Sequence, residues 1–326
     1  MTTVTIDDIR RARERILGPI VQTPLLPAFA LQGADDNAVW IKAESLQRTG
    51  SFKARGAYNA VAGLDPEQRR RGVITYSSGN HGQAVAFAAH ELGVRAVVVM
   101  PEDAVPLKVE LTRQWGAEIQ FAGHTSLDRQ ERAMELVQRH GYVVIPPFDD
   151  PRIIAGQGTA GIEIVEQLPD VDAVVVPVGG GGLISGIATA LKSLRPEALV
   201  IGVEPEGAAD ARDSLARGSL VTWDRIDTVA DGLRTSRVGE LNFAAIQRYV
   251  DSIVTVPEDA ILRTVGALAR AMKIVVEPSG AVAPAAVLGG YTGLSKKRIA
   301  AVASGGNVDP QRFVDCLKPD PVAAEA

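Results

Sequence analysis

One lysine stands in a short segment of aromatic and small residues, Ser51-Phe52-Lys53-Ala54-Arg55-Gly56. A lysine amine is nucleophilic near neutral pH only when it is partly desolvated, and it then forms a Schiff base with a carbonyl compound. A lysine in such a segment can equally be an ordinary surface group. What the segment does therefore depends on the residues that the fold brings to it.

Three further segments combine glycine with small polar residues. The segment Ser77-Ser78-Gly79-Asn80-His81 precedes a helical pattern, where it either caps the helix or binds a carboxylate at the helix N-terminus. The segment Gly179-Gly180-Gly181-Gly182-Leu183 costs backbone entropy, which favours a close approach to a ligand such as a phosphate over a plain turn. The segment Ser304-Gly305-Gly306-Asn307 follows an apolar run and by itself could be a turn.

Short β-branched runs alternate with helical patterns along most of the chain. Apolar strands separated by helices indicate parallel sheets covered on both faces, so we expect an α/β fold. Pro146-Pro147 separates two such series. We therefore predict two lobes with a ligand cleft between them: a large domain of residues 1–72 and 149–326, and a small domain of residues 73–148. The predicted strands are 72–76, 95–100, 117–121, 142–145, 173–178, 198–203 and 298–303.

The composition is that of a globular protein, with 46% hydrophobic and 22% charged residues among 326. The net charge of −5 is small and mixed along the chain, so neither nucleic acid nor an anionic membrane is an expected partner. The uncharged stretch 173–191 contains Pro177 and four glycines, which favour strand, loop and helix over a membrane span. Cys316 is the one cysteine, and the first residues do not look like a secretory signal. We expect a cytoplasmic location.

Taken together, the four segments resemble the fold-type II enzymes that depend on pyridoxal phosphate (PLP). The resemblance runs from about Ile9 to Val314, with the motifs in family order, and is strongest to serine racemase and the serine/threonine dehydratases. It implies a two-lobed fold like that of the tryptophan synthase β chain, PLP as cofactor, a small amino acid as substrate, and a homodimer.

The resemblance also implies a role for each motif residue. Lys53 would be the Schiff-base lysine, with Phe52 packed against the cofactor. Ser304 would hydrogen-bond the pyridine nitrogen, and Glu277 would lie near the cofactor. Asn80 would bond the 3-hydroxyl, and the substrate carboxylate would be held by Ser77, Ser78, Gly79, Asn80 and His81. The phosphate cup would consist of Gly179, Gly180, Gly181, Gly182 and the amide of Leu183.

A metal loop is implied as well, because Glu204, Ala208 and Asp210 match the divalent-cation loop of the racemase-like branch. Two carboxylates and a carbonyl are oxygen ligands that suit Mg²⁺, Mn²⁺ or Ca²⁺. The alternative is that Glu204 only ends a strand and Asp210 caps the next helix.

The reaction implied is loss of the β-hydroxyl from L-threonine or L-serine, giving a 2-oxo acid and ammonia, with Lys53 taking the Cα proton. Ser78, placed on the opposite face, could return a proton there and yield the D-amino acid. Phe148 resembles the dehydratases while Ser78 resembles the racemases, so serine racemase remains open. A 3-hydroxyaspartate ammonia-lyase also remains open, since Arg129, Arg234 or Arg237 could bind a second carboxylate or could be surface groups.

Two other classes of protein compete with this interpretation. Gly180, Gly182 and Gly186, with Glu204 at the end of the next strand, imitate the fingerprint of an NAD-dependent dehydrogenase. However, the last glycine is one residue too late, and Lys53 and Ser304 are left unexplained. A non-enzymatic module that binds amino acids is the other alternative.

Overall fold

The computed structural model describes residues 4–31, 36–77, 79–104 and 106–318, with the side chain of Ser126 left out. Its helices are α1 (Ile6–Ile16), α2 (Lys53–Ala62), α3 (Pro66–Arg71), α4 (Asn80–Glu91), α5 (Pro106–Arg113), α6 (Ser126–His140), α7 (Pro151–Gln167), α8 (Gly182–Leu194), α9 (Asp210–Arg217), α10 (Glu240–Tyr249), α11 (Glu258–Met272), α12 (Pro278–Leu288) and α13 (Pro310–Leu317). Its strands are β1 (Leu25–Pro27), β2 (Ala38–Ala43), β3 (Val73–Tyr76), β4 (Ala96–Met100), β5 (Glu118–Phe121), β6 (Val143–Val144), β7 (Ala173–Pro177), β8 (Leu199–Pro205), β9 (Ser252–Val256) and β10 (Arg298–Ala303).

The strands form two sheets. The larger sheet has the order β1-β2-β10-β7-β8-β9 and is parallel except for β1, which pairs antiparallel with β2. The smaller sheet has the order β5-β4-β3-β6 and is parallel throughout. The central strands β4, β7 and β10 consist mainly of Val, Ile and Ala and are almost wholly buried, as strands covered on both faces must be.

The predicted fold class is confirmed, and the predicted strands lie within two residues of the observed ones. The stretch 173–191 is β7, the glycine loop and most of α8, as expected. No helix in the described ranges combines the length and apolar character that a bilayer crossing needs. The sequence did not predict β1, β2 and β9, which are short or interrupted by polar residues. The strands of the smaller sheet fall between residues 73 and 144, which is compatible with the proposed domain division.

A buried cluster of four charges joins the larger sheet to helices α2 and α7. Arg55 forms two paired hydrogen bonds with Glu44, both of 2.8 Å, and two with Glu163, of 2.6 and 2.8 Å. Lys42 completes the cluster, with its Nζ 2.6 Å from Glu163. The side chains of Lys42, Glu44 and Arg55 have no exposed surface. Burial lowers the pKa of Arg55, but Glu44 and Glu163 outweigh it and the net shift is upward.

Helix α2 also lies unusually close to α7. A Cβ on Gly156 would be 2.6 Å from the Cα of Gly56, so only glycine permits this approach. The backbone N–H of Gly56 donates to Oε1 of Gln157 at 3.3 Å. Because Lys53 is the first residue of α2, these contacts fix the position of that lysine.

We predict that Glu163→Gln lowers the free energy of unfolding by about 3–5 kcal/mol, because it leaves two buried cations with one carboxylate. Glu166→Gln is the matched control on the same helix. Its exposed pair with Arg13 contributes less than about 1 kcal/mol. Urea denaturation of both variants measures the difference, and equal stability would contradict the assigned importance of the cluster.

Candidate active site

The segment before Lys53 pairs with the segment that follows β10. Ser51 and Gly305 form an antiparallel bridge, the N–H of Phe52 donates to the carbonyl of Ser304 at 3.0 Å, and the N–H of Gly306 donates to Gly50 at 2.8 Å. Since β10 and β7 are parallel neighbours, their carboxyl ends lie at the same edge of the sheet. The lysine segment, the Ser304 segment and the glycine loop after β7 therefore lie at one edge, as expected for a common site.

Lys53 is partly buried and its amine has a defined partner. Its Nζ donates to the carbonyl of Pro147 at 2.6 Å and lies 5.2 Å from the centroid of the Phe52 ring. Burial lowers the pKa of Lys53 to about 8. Near neutral pH an appreciable fraction of this amine is therefore uncharged, which is the form that attacks a carbonyl group or accepts a proton.

Asn80, at the start of α4, links two residues from the other side of the site. Its Nδ2 donates to Glu277 at 2.6 Å, and its Oδ1 accepts from Asn307 at 2.8 Å. One N–H of the amide stays available for a ligand. Burial and, to a smaller extent, Asp231 raise the pKa of Glu277 to about 7. Sequence reasoning named the Ser304 to Asn307 segment but gave Asn307 no role, although an asparagine ending a glycine pair was a usable signal.

The glycine loop presents a row of unpaired backbone donors. Gly179, Gly180 and Gly181 are buried, yet among the described residues their N–H groups have no acceptor. Buried N–H groups are nearly always paired, and a helix N-terminus adds further free donors together with a favourable dipole. Gly181 has φ +89°, and a Cβ on Gly180 would lie 2.2 Å from the ring of Phe148. The loop accordingly fits a small anion such as a phosphate group and has no room for side chains.

The loop before α4 is described in part, because Ser78 lies outside the described residues. Ser77 accepts the N–H of Gly79 at 3.3 Å, and open space surrounds Gly79. His81 is buried, with Nε2 3.0 Å from the carbonyl of Ile145, and burial followed by the charge of Lys53 lowers its pKa to about 3. His81 is therefore neutral and donates to Ile145 through Nε2. The substrate role predicted for this loop stays a prediction.

Ser304 is buried at the end of β10, and its hydroxyl has one long contact, 3.4 Å, to the carbonyl of Ser279. Such a weakly held hydroxyl can rotate toward a ligand atom.

The three candidate arginines differ in their surroundings. Arg234 donates to the carbonyl of Thr228 at 2.7 and 3.0 Å, and Arg237 lies 3.6 Å from Glu240. Arg129 is part-buried, and burial lowers its pKa.

The predicted metal loop contains two buried acids, Glu204 and Asp210. Glu204 accepts the N–H groups of Ala211 and Arg212 at 3.0 and 2.8 Å. It is thus Glu204, and not Asp210 as the alternative interpretation had it, whose side chain caps α9. Asp210 is 1% exposed. Burial raises the pKa of Asp210 to about 7. The N–H groups of Asp210 itself and of Val238 approach its carboxylate and lower this pKa, but neither makes a well-formed hydrogen bond within the described residues. Burial and, to a smaller extent, the neighbouring Asp210 raise the pKa of Glu204 well above its ordinary value. The described residues include no cluster of three or more His, Cys, Asp and Glu side chains suited to a metal.

Comparisons with known proteins agree with this site. The family described as pyridoxal-phosphate dependent enzyme matches residues 16–305. The chain is 43% identical to the L-threonine ammonia-lyase of Thermotoga maritima, over 94% of this chain and 76% of that protein. It is 42% identical to the L-threo-3-hydroxyaspartate ammonia-lyase of Saccharomyces cerevisiae, over 97% of both. The solved structure of maize serine racemase superposes with a TM-score of 0.92 at 36% identity, covering 96% of this chain and 97% of that one.

Fold and site together define a two-lobed enzyme that uses an aldehyde cofactor with a phosphate group. The chain belongs to the family of pyridoxal-phosphate-dependent enzymes. The predicted family, PLP as cofactor, and the enzyme class, a PLP-dependent lyase or racemase, are confirmed. The dehydrogenase and the non-enzymatic binding module were wrong alternatives.

We predict that the protein freed of cofactor captures PLP at a rate that rises with pH around a midpoint near 8, since only the neutral amine of Lys53 attacks and its pKa is lowered to about 8. Stopped-flow absorbance measures the rate, with Lys53→Ala as the variant that lacks the amine. A rate that instead keeps rising toward the ordinary lysine value of 10.5 would contradict the assigned burial.

Proposed function

We propose that this enzyme eliminates water from small β-hydroxy amino acids, L-threonine and L-serine above all, and that the imine so released takes up one water to give a 2-oxo acid and ammonia. The observation that carries the proposal is the meeting, at one sheet edge, of the Lys53 amine, the unpaired donors of the glycine loop and the neutral hydroxyl of Ser304. When bound there, PLP supplies an electron sink for the charge that develops at Cα.

The protein residues then have separable tasks in the proposed reaction. Lys53 Nζ, with its lowered pKa, accepts the Cα proton, and the carbonyl of Pro147 orients this amine. Ser304 offers a hydroxyl and no carboxylate to the pyridine nitrogen, so the sink stays weak and prompt loss of the β-hydroxyl is favoured. Phe52 and Phe148 flank the site and limit the entry of water.

Two related reactions use the same site. Racemisation of serine requires a proton donor on the face opposite Lys53, and we assign that place to Ser78. The 41% identity to the serine racemase of Schizosaccharomyces pombe supports it. An ammonia-lyase for L-threo-3-hydroxyaspartate requires a cation for the second carboxylate. The candidates are Arg129, which is part-buried, Arg234 and Arg237.

We predict that L-threonine and L-serine yield 2-oxo acid and ammonia with the purified holoenzyme. The panel adds D-serine and L-threo-3-hydroxyaspartate, and chiral chromatography measures any D-product. Lys53→Ala should lose all detectable turnover.

Ser78→Ala is the discriminating variant in this panel. We expect it to lose racemisation far more than elimination, because elimination needs no proton on the second face. Equal loss of both reactions would refute the role of Ser78, and turnover of none of the four compounds would refute the proposed function.

We also propose that Glu204, Asp210 and the carbonyl of Ala208 hold a divalent cation, Mg²⁺ or else Mn²⁺ or Ca²⁺. A buried carboxylate without a partner is costly, and a cation that water helps to coordinate removes the cost. The support is the burial of Asp210 without a well-formed hydrogen bond among the described residues, together with the raised pKa of both acids.

We predict that Mg²⁺ raises the Tm more at about pH 8 than at about pH 6. The cation competes with protons on two acids whose pKa values burial raises, that of Asp210 to about 7, so its binding strengthens as the pH rises. At 100 times its Kd the ion stabilises the protein by about 2.7 kcal/mol. Asp210→Asn should abolish the Tm shift, while Asp213→Asn on the same helix should retain it. A shift that survives Asp210→Asn would refute the site.

We also propose that the enzyme is a homodimer and that it is located in the cytoplasm. The side chains of Leu17, Val21 and Leu46 are exposed. Gln47, next to Leu46, bonds both backbone groups of Val21 at 2.9 and 2.8 Å, so Leu46 and Val21 belong to neighbouring segments. We assign this apolar patch to contact with a second copy. Sedimentation as a monomer at micromolar concentration would contradict the assignment.

A further inference from the structure

Asn242 has no part in the proposed reaction, and its side chain binds the backbone of the glycine loop. It lies on the first turn of α10 and has no exposed surface. Its Nδ2 donates to the carbonyl of Gly180 at 2.8 Å, and the same carbonyl accepts the N–H of Gly239 at 3.1 Å. The carbonyl of Asn242 in turn accepts the hydroxyl of Ser185, on α8, at 3.2 Å.

The two hydrogen bonds to the carbonyl of Gly180 set the direction of the N–H of Gly181. The carbonyl of Gly180 and the N–H of Gly181 belong to one planar trans peptide and point in opposite directions. Fixing the carbonyl against α10 therefore turns the N–H of Gly181 away from α10. Within the described residues that N–H has no acceptor, so it is available to a ligand.

Helix α10 is itself anchored beside the lysine. The two carboxylate oxygens of Asp149 accept the N–H groups of Glu240 and Leu241, both at 3.0 Å. Asp149 follows Pro147 and Phe148. The carbonyl of Pro147 binds the amine of Lys53, and the ring of Phe148 fills the space beside Gly180. One short stretch of chain thus contacts the lysine, the glycine loop and the helix that orients the loop.

The arrangement has a cost that a purely structural residue would avoid. The Oδ1 of Asn242 is buried without a partner in the described part of the chain. An unpaired buried acceptor costs about 1–3 kcal/mol, whereas a leucine of similar size would leave none on this side chain. The retained amide makes sense if its N–H is needed at Gly180.

We propose that Asn242 is a positioning residue for the cofactor phosphate: it holds the Gly180–Gly181 peptide so that the N–H of Gly181 faces the anion, and Asp149 keeps it in place. The proposal rests on cofactor binding, which family membership establishes, and is independent of which amino acid is the substrate.

The test compares two aldehydes that differ in one group, PLP and pyridoxal, which has no phosphate. Cofactor-free protein is titrated with each, and the Kd is read from the absorbance of the lysine-bound form. For Asn242→Leu we expect roughly tenfold weaker binding of PLP, about 1.4 kcal/mol, with an unchanged Kd for pyridoxal. The Tm rise produced by inorganic phosphate alone should shrink in parallel.

Two further variants keep the result decisive. Gln247→Ala changes an exposed residue of the same helix and should match the wild type with both aldehydes. Asp149→Asn should weaken PLP binding several-fold in the same selective way, and it decides the matter if Asn242→Leu does not fold. Equal loss of PLP and pyridoxal binding, or an unchanged Kd for PLP in folded protein, would overturn the proposal.

Discussion

The backbone pairing between residues 50–52 and residues 304–306 is the constraint on which the site depends. It fixes the residue before Lys53 to the end of β10, whose parallel neighbour β7 ends in the glycine loop. The amine of Lys53 and the glycine loop thus belong to one sheet edge. Chemistry that needs a covalent link at one end of a cofactor and an anion site at the other requires this fixed separation.

A buried cluster of charged side chains stabilises the elements next to this sheet edge. The cluster around Arg55 ties α2 to the larger sheet and to α7, and it does so two residues after Lys53. Arg55 is matched by two carboxylates and Lys42 by one of them, so no charge in the cluster is left unpaired. Lys53 is the first residue of α2, and the neutral His81 lies in the first turn of α4. Their lowered pKa values have burial as the common cause.

The sequence predicted the architecture well because the strongest signals were local. Apolar runs such as β4, β7 and β10 read directly as buried parallel strands, and glycine and serine clusters marked the loops at their ends. The short strand β1 and the mixed-polarity strands β2 and β9 escaped because their burial depends on neighbours distant in the chain. For the same reason the partners of Arg55 and the contact of Asn242 with Gly180 could not be predicted. The capping of α9 by Glu204 also needed the fold, since it joins residues seven and eight positions apart across a turn.

The central claim is that the amine of Lys53 carries the cofactor while the glycine loop holds its phosphate. The most direct measurement is borohydride reduction of the PLP-loaded protein, followed by mass-spectrometric mapping of the peptides. The account predicts one stable pyridoxyl group, on Lys53, and none when Lys53→Ala protein is treated in the same way. A label on another lysine, or an unmodified Lys53 in protein saturated with PLP, would contradict it.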